Sequence, residues 1–367
     1  MNAGNTGNTG NTGGAWAAAD APRSVDQQRL LVIDPLGGAS WQLAARRLPE
    51  LLGPGDLLVV NDAATVPASL PVTSPRGRAH ELRLATTGGP LGSWAVLLGE
   101  GDWRQPTEQR PAPDPVAVGD RLGLPDGRDA VVAELSPRSP RLLRIDWGRP
   151  DAAVLALFYA HGRPVQYSYL RRDLELHEVQ TPFGVRPWAV EMPSASRPLD
   201  WAALAALRRR GVALATLTHA AGLSATGDDA LDAQLPLPER YRIPARTVAA
   251  IERAKARGGR VIAVGTTVVR ALEGDARRPS PAGRALRGGD GITDLVIGEG
   301  FVPRIVDGLL SGVHEPGTSH HRVVDAFAPA PVLDHAMAEA ARHGLLVHEF
   351  GDATLVLPGA QALCAAA

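Results

Sequence analysis

GGRVIAVGTTVVRALE, residues Gly258 to Glu273, reads as a strand, a tight turn and a helix in direct succession. Val261 to Val264 is a short apolar run with β-branched side chains, the composition of a strand covered on both faces. Gly265 lets the backbone turn where a side chain would clash, and Thr266 or Thr267 is placed to cap the helix with its hydroxyl. The free N–H groups of a helix start attract anions, and open α/β sheets bind ligands where strand carboxyl ends meet such starts. Gly265, Thr266, Thr267 and, one turn on, Arg270 are therefore candidate ligand contacts; a capped turn without a ligand is the plainer alternative.

Working outward, the same alternation recurs. Arg246 to Arg257 is an amphipathic helix closed by Gly258-Gly259. Asp200 caps a helix from Trp201 to Arg210, Gly211 stops it, and a strand from Val212 to Leu217 delivers Thr218 and His219 at its end. Asp56 leads into a strand, Leu57 to Val60, that ends at Asn61 and Asp62. A last helix from Asp334 to His343 precedes two terminal strands, Leu345 to Phe350 and Ala353 to Leu357. Strands and helices in this order predict an α/β fold with a mostly parallel open sheet.

Between Pro71 and Trp147 the pattern changes to short alternating strands separated by Pro/Gly turns, which predicts a small inserted antiparallel β-barrel. Trp94, Trp103 and Trp147 either fill that barrel or stack on a base. The expected organisation is a disordered leader over residues 1–28, an α/β domain over 29–70 and 148–367, and the barrel over 71–147. The leader rests on the Asn-Thr-Gly repeats, which have nothing to bury.

Composition narrows the function classes. The 367 residues are 44% hydrophobic with a mean hydropathy of −0.06, and no apolar run approaches the length of about 20 residues that spans a bilayer. The single cysteine, Cys364, permits no intrachain disulfide, so a reducing, cytoplasmic setting is expected. A net charge of −1 and a pI near 6.8 give no support for a large nucleic-acid footprint, though local basic patches stay open.

Four side chains are candidates for proton or charge work. His219, at a strand's carboxyl end, is either a proton-transfer group or a core histidine. Glu239 is either a general base with a pKa raised by burial or a loop glutamate among arginines. His314 lies near His320 and His321, but no paired Cys or carboxylate supports a metal there, and none is expected. Asp307 is the fourth, and its role comes from the resemblance that follows.

In collinear order from about Leu30 to Leu357, the chain resembles the S-adenosylmethionine:tRNA ribosyltransferase-isomerases of queuosine biosynthesis. The segments that carry the likeness are residues 55–62, 258–273, 293–314 and 350–353. The resemblance implies the barrel insertion and transfer with isomerisation of a ribosyl group. It implies S-adenosylmethionine as co-substrate, no permanently bound cofactor, and a tRNA anticodon loop as acceptor. It further implies that Asp307 and Glu239 carry charge or protons, that His219 and His314 transfer protons, and that Asn61, Asp62 and Tyr169 contact substrate beside the Gly265 turn. His219, Gly265 and Asp307 should then face one cleft. A monomer is expected.

The departures fall on polar positions. Ala64 and Ser69 stand where the family carries arginines, Gly317 where it carries a lysine and Pro198 where it carries a histidine. A paralogue acting on a small acceptor, or a non-catalytic binding protein, thus remains open, and a basic patch around Arg163, Arg171 and Arg172 would favour tRNA.

Overall fold

Nine strands form one twisted sheet in the order Gly289–Thr293, Glu239–Ile243, Ala213–His219, Leu57–Asn61, Val261–Val264, Gly308–Gly312, Ala353–Val356, Arg29–Asp34 and Ala39–Ala44. The structure, a computed structural model, describes residues 16–86, 93–280, 284–298 and 300–361. The Ala213, Leu57, Val261 and Gly308 strands run parallel at the centre. The pairings of the Gly289, Glu239 and Ala39 strands at the two margins are antiparallel, as is that of Ala353–Val356 with Gly308–Gly312. The expected α/β class holds, with its parallel character concentrated at the centre. A short connection makes one margin: Asp34 accepts the Leu36 and Gly37 amides at 3.0 and 3.2 Å, and so folds Ala39–Ala44 straight back.

Side-chain alternation sends the two halves of each central strand into different cores. Leu57, Val59, Val261 and Ala263 meet Val248, Ile251, Val268 and Leu272 from the helices Ala245–Ala256 and Thr266–Asp275. Leu58, Val60, Ile262 and Val264 meet Leu48, Leu52, Leu199 and Leu207 on the opposite face. A Cβ on Gly259 would stand 2.0 Å from the Gly55 carbonyl oxygen, so only glycine lets the strand start this close to the Leu57 strand.

The insertion is a closed antiparallel barrel of Ser69–Thr73, Ala79–Leu84, Trp94–Leu98, Arg121–Gly123, Asp129–Ser136 and Ser139–Asp146. Leu82, Leu97, Leu122, Val132 and Leu143 fill it. Trp147 is buried edge-on against Phe158 with centroids 5.4 Å apart, and buried Trp103 donates its indole N–H to Asp173 at 2.8 Å. These two rings are committed to packing.

Two expectations need correction. Residues 16–28 are not a free leader: Ala17–Ala18 pair with Leu346 and Val347, Ala19 is buried, and Arg23 binds Asp352 at 3.0 Å. Trp16 at the start of this stretch packs on the main core, an apolar contact that composition alone did not weigh. Residues 1–15 and Cys364 lie outside the described residues. The second correction concerns the helix start. Gly265, at φ 96°, is itself the N-cap, and neither threonine hydroxyl caps the helix, because the chain turns one residue earlier than expected.

Candidate active site

Parallel register fixes which residues can meet. Leu217 pairs with Asn61, Val60 with Val264, and Val264 with Leu310, so Asn61, His219, Gly265 and Gly312 emerge along one carboxyl edge. Asn61 ties this edge together. Its Oδ1 accepts the amides of Ala63 at 3.0 Å and His219 at 2.9 Å, while Nδ2 donates to the His219 carbonyl at 3.0 Å and reaches the Thr267 hydroxyl at 3.4 Å. The next residue, Asp62, accepts the Thr218 hydroxyl and an Arg186 N–H at 3.3 Å.

His219 is 0% exposed, and neither ring nitrogen has a hydrogen-bond partner among the described residues. Its Nε2 stands 3.4 Å from Glu239 Oε2. Glu239 is itself held from two sides: Oε1 accepts the Gly222 amide at 2.6 Å, and Oε2 accepts an Arg270 N–H. Arg270 also donates to the Leu295 carbonyl at 2.9 Å. Burial, then the Arg270 cation, hold the His219 imidazole well below the usual histidine range. It is therefore neutral at physiological pH. Burial draws Arg270 down to about 10, which leaves it cationic there and able to neutralise Glu239.

The opposite wall is built from histidines, tyrosines and acids. His314 Nε2 meets the Ser311 hydroxyl at 2.8 Å, and its ring stacks on His320 with centroids 5.1 Å apart. Burial is the largest cause that lowers His314 and His320, and the Arg270 charge contributes at His320, as it does at His219. Arg270 thus links the two walls. Tyr169 stacks on His348 at 4.2 Å and its hydroxyl donates a hydrogen bond to Glu349. Tyr167 donates to Glu191 at 2.5 Å, and Glu191 also accepts the Ser224 amide at 2.8 Å. Burial raises both acids, Glu349 to about 7. A narrow pocket beside this second wall is lined by Ser194, Ala195, Ser311, Gly312, His348 and Glu349. It adjoins the helix start, since a Cβ on Gly265 would touch the Ala195 methyl at 3.4 Å.

Of the residues expected from sequence, His219, Glu239, Arg270, Asn61, Thr267 and Gly265 come together at this edge, with His314 and Tyr169 on the facing wall. Asp307 does not join them. It precedes Gly308 at the amino end of its strand, accepts the Val261 amide at 2.8 Å and binds Lys255 at 2.6 Å. The register Ile262 to Gly308 puts it at the opposite edge of the sheet from Gly265. The arginines whose patch would favour tRNA are each paired with an acid: Arg163 lies 3.8 Å from Asp173, Arg171 binds Asp20, and Arg172 binds Glu178 at 2.5 Å. Among the described residues no group of three His, Cys, Asp or Glu side chains is arranged to hold a metal.

Sequence reasoning missed Glu191, His348 and Glu349. Glu349 adjoins the Phe350-Gly351-Asp352-Ala353 segment already singled out, which is the one available signal.

This architecture is that of an α/β ligand-binding scaffold with an inserted barrel and a polar cleft at the carboxyl edge. The profile of the family described as queuosine biosynthesis protein matches residues 15–356, and the chain belongs to that family. An S-adenosylmethionine:tRNA ribosyltransferase-isomerase from Gloeobacter violaceus is 34% identical over 92% of this chain and 91% of its own. The enzyme of that name from Acidithiobacillus ferrooxidans is 35% identical, covering 90% and 92%. A crystal structure of an S-adenosylmethionine tRNA ribosyltransferase from Thermotoga maritima shares the fold with a TM-score of 0.51, 24% identity, and coverage of 93% and 96%.

Proposed function

We propose that this chain is an S-adenosylmethionine:tRNA ribosyltransferase-isomerase. It moves and isomerises the ribosyl part of S-adenosylmethionine onto the aminomethyl-deazaguanine of a tRNA, releasing adenine and methionine. The observation that carries the reading is the buried, neutral His219, with both ring nitrogens unpartnered, beside the Glu239–Arg270 pair at the edge where Gly265 opens a helix. Relatives covering nine-tenths of the chain and bearing that enzyme name support it.

The chemistry asks for a base near the sulfonium-activated C5′ carbon. A neutral imidazole kept from water has a free lone pair for that proton, and as the imidazolium forms it gains Glu239 as a partner at 3.4 Å. Arg270 keeps Glu239 ionised and positioned. The first amides of the Thr266–Asp275 helix suit the methionine carboxylate. Asn61 holds the His219 backbone at both its N–H and its carbonyl, so the imidazole's direction is set by the sheet.

A second reading, a smaller acceptor in place of tRNA, draws on the carboxylate pairing of Arg163, Arg171 and Arg172. One experiment separates the readings. The protein is incubated with S-adenosylmethionine, with and without precursor-bearing tRNA, and adenine is followed by chromatography. Adenine release that requires the tRNA is the expected result. Release independent of tRNA moves the acceptor assignment to a small molecule, and no release under either condition overturns the enzyme reading.

A further inference from the structure

Glu349 has no place in the roles above. Glu349 lines the pocket beside Ser311, Gly312 and His348, and the side chain that bonds it is the Tyr169 phenol. The groups facing it are Tyr169, Glu191, His348 and Arg197. Of these only Arg197 is a fixed cation; its guanidinium lies 4.7 Å from the Phe350 ring centroid and bonds the Arg23 carbonyl at 2.8 Å. The backbone is shaped to hold Glu349 there. His348, at φ 69°, is the non-glycine residue with a left-handed conformation among the described residues, and it directly precedes Glu349. Such conformations cost of order 1–3 kcal/mol and persist where the surroundings over-determine them; stacking of His348 on Tyr169 at 4.2 Å and 7° does so here.

We propose that Glu349 is the acid that protonates the departing adenine. This rests on the ribosyltransferase reading above and adds its proton donor. The base removes a proton from C5′; the pair left behind forms a C4′–C5′ double bond as the C4′–O4′ bond breaks, and the O4′ pair forms a C1′–O4′ carbonyl as the glycosidic C–N bond breaks. The pair of that bond leaves with adenine, and the Glu349 carboxyl O–H supplies the proton that makes adenine neutral. One proton leaves carbon and one reaches nitrogen; Glu349 ends as carboxylate and the base as its conjugate acid. Desolvation and the neighbouring Glu191 charge raise the carboxyl to about 7, so its protonated form is well populated at neutral pH, against the Tyr169 hydrogen bond and Arg197, which favour the ionised form. The Tyr169 phenol stabilises the carboxylate as it forms.

The test compares adenine release by the full-length wild type, Glu349→Gln and Tyr169→Phe, in the presence of precursor-bearing tRNA, from pH 5.5 to 9. An acid must be protonated, so the wild-type rate falls as pH rises through about 7. Glu349→Gln keeps the shape but cannot donate a proton: release drops roughly 10²-fold or more and the limb disappears, while calorimetric binding of S-adenosylmethionine stays close to wild type. Tyr169→Phe removes a bond that favours the carboxylate, so its limb moves to higher pH, and this variant keeps the test decisive even where Glu349→Gln folds poorly. An unchanged limb in both variants, or a full rate in Glu349→Gln, overturns the proposal and leaves the enzyme reading intact. Wild type that releases no adenine overturns both.

Discussion

Two carboxyl groups near the carboxyl edge of the sheet, the buried Glu239 and the half-buried Glu349, meet opposite electrostatic conditions. Glu239 has a guanidinium against one oxygen and a backbone amide against the other, whereas Glu349 is bonded by a phenol, has a second acid nearby, and feels the Arg197 cation only from a distance. A carboxylate with a fixed cation stays ionised and can stabilise a charge that appears beside it, as on His219. A carboxyl group with no cation bonded to it holds its proton more tightly and can give it to the substrate. The division of labour in the proposed reaction follows from which acid received an arginine. Removing or supplying partners on either side is therefore the way to break the comparison.

The largest effect is expected from Arg270→Ala. Both partners of this pair are about 6% exposed, and deleting one leaves a buried, uncompensated charge. Unfolding in urea should show a loss of about 3–5 kcal/mol. A loss below about 1 kcal/mol would mean that Glu239 takes up a proton instead, and the contrast with Glu349 would vanish.

His219→Gln comes next. Turnover should fall roughly 10²-fold or more if the imidazole takes the proton. Because neither ring nitrogen bonds a group among the described residues, the melting temperature should move little. A weakened fold with the rate per folded molecule preserved would make His219 a core residue and pass the base role to His314.

Glu349 also predicts a stability profile. Its folded value is about 7 against an ordinary 4.5, so the folded chain holds this proton more tightly than the unfolded chain. The contribution is fully present below pH 4.5 and is lost as pH rises through about 7. Measured from pH 4 to 8, the gap between wild type and Glu349→Gln should therefore shift in favour of the variant as pH rises. A flat difference across that window would show that folding leaves this carboxyl's proton affinity unchanged.

Local rules read the scaffold well and the cleft only in part. The strand Val261–Val264, the helix behind it and the inserted barrel were legible because apolar period, turn residues and capping act over a few positions. His219 was legible for the same reason: a strand that must end at Thr218 and His219 places them at the carboxyl edge. Glu349 was not, because what distinguishes it is a backbone reversal at His348 and a tyrosine 180 positions away in sequence. Asp307 failed for a simpler reason. A motif residue next to a strand is conspicuous in sequence, but which end of the strand reaches the ligand edge depends on where the strand starts, and Asp307 lies one residue before it.

That misplacement yields the smallest and sharpest prediction. Lys255 and Asp307 form an ion pair at 2.6 Å, as close as many in the cleft, yet their side chains are 36% and 34% exposed and sit at the amino edge of the sheet. Solvent screens such a pair, so Lys255→Ala should cost no more than about 1 kcal/mol in urea unfolding. Asp307 keeps its bond to the Val261 amide in that variant, so the strand start is preserved. Adenine release should match wild type at every pH, since nothing at this edge reaches the His219 cleft. A drop of ten-fold or more in turnover with stability unchanged would return Asp307 to the reaction and require substrate to extend across both edges of the sheet.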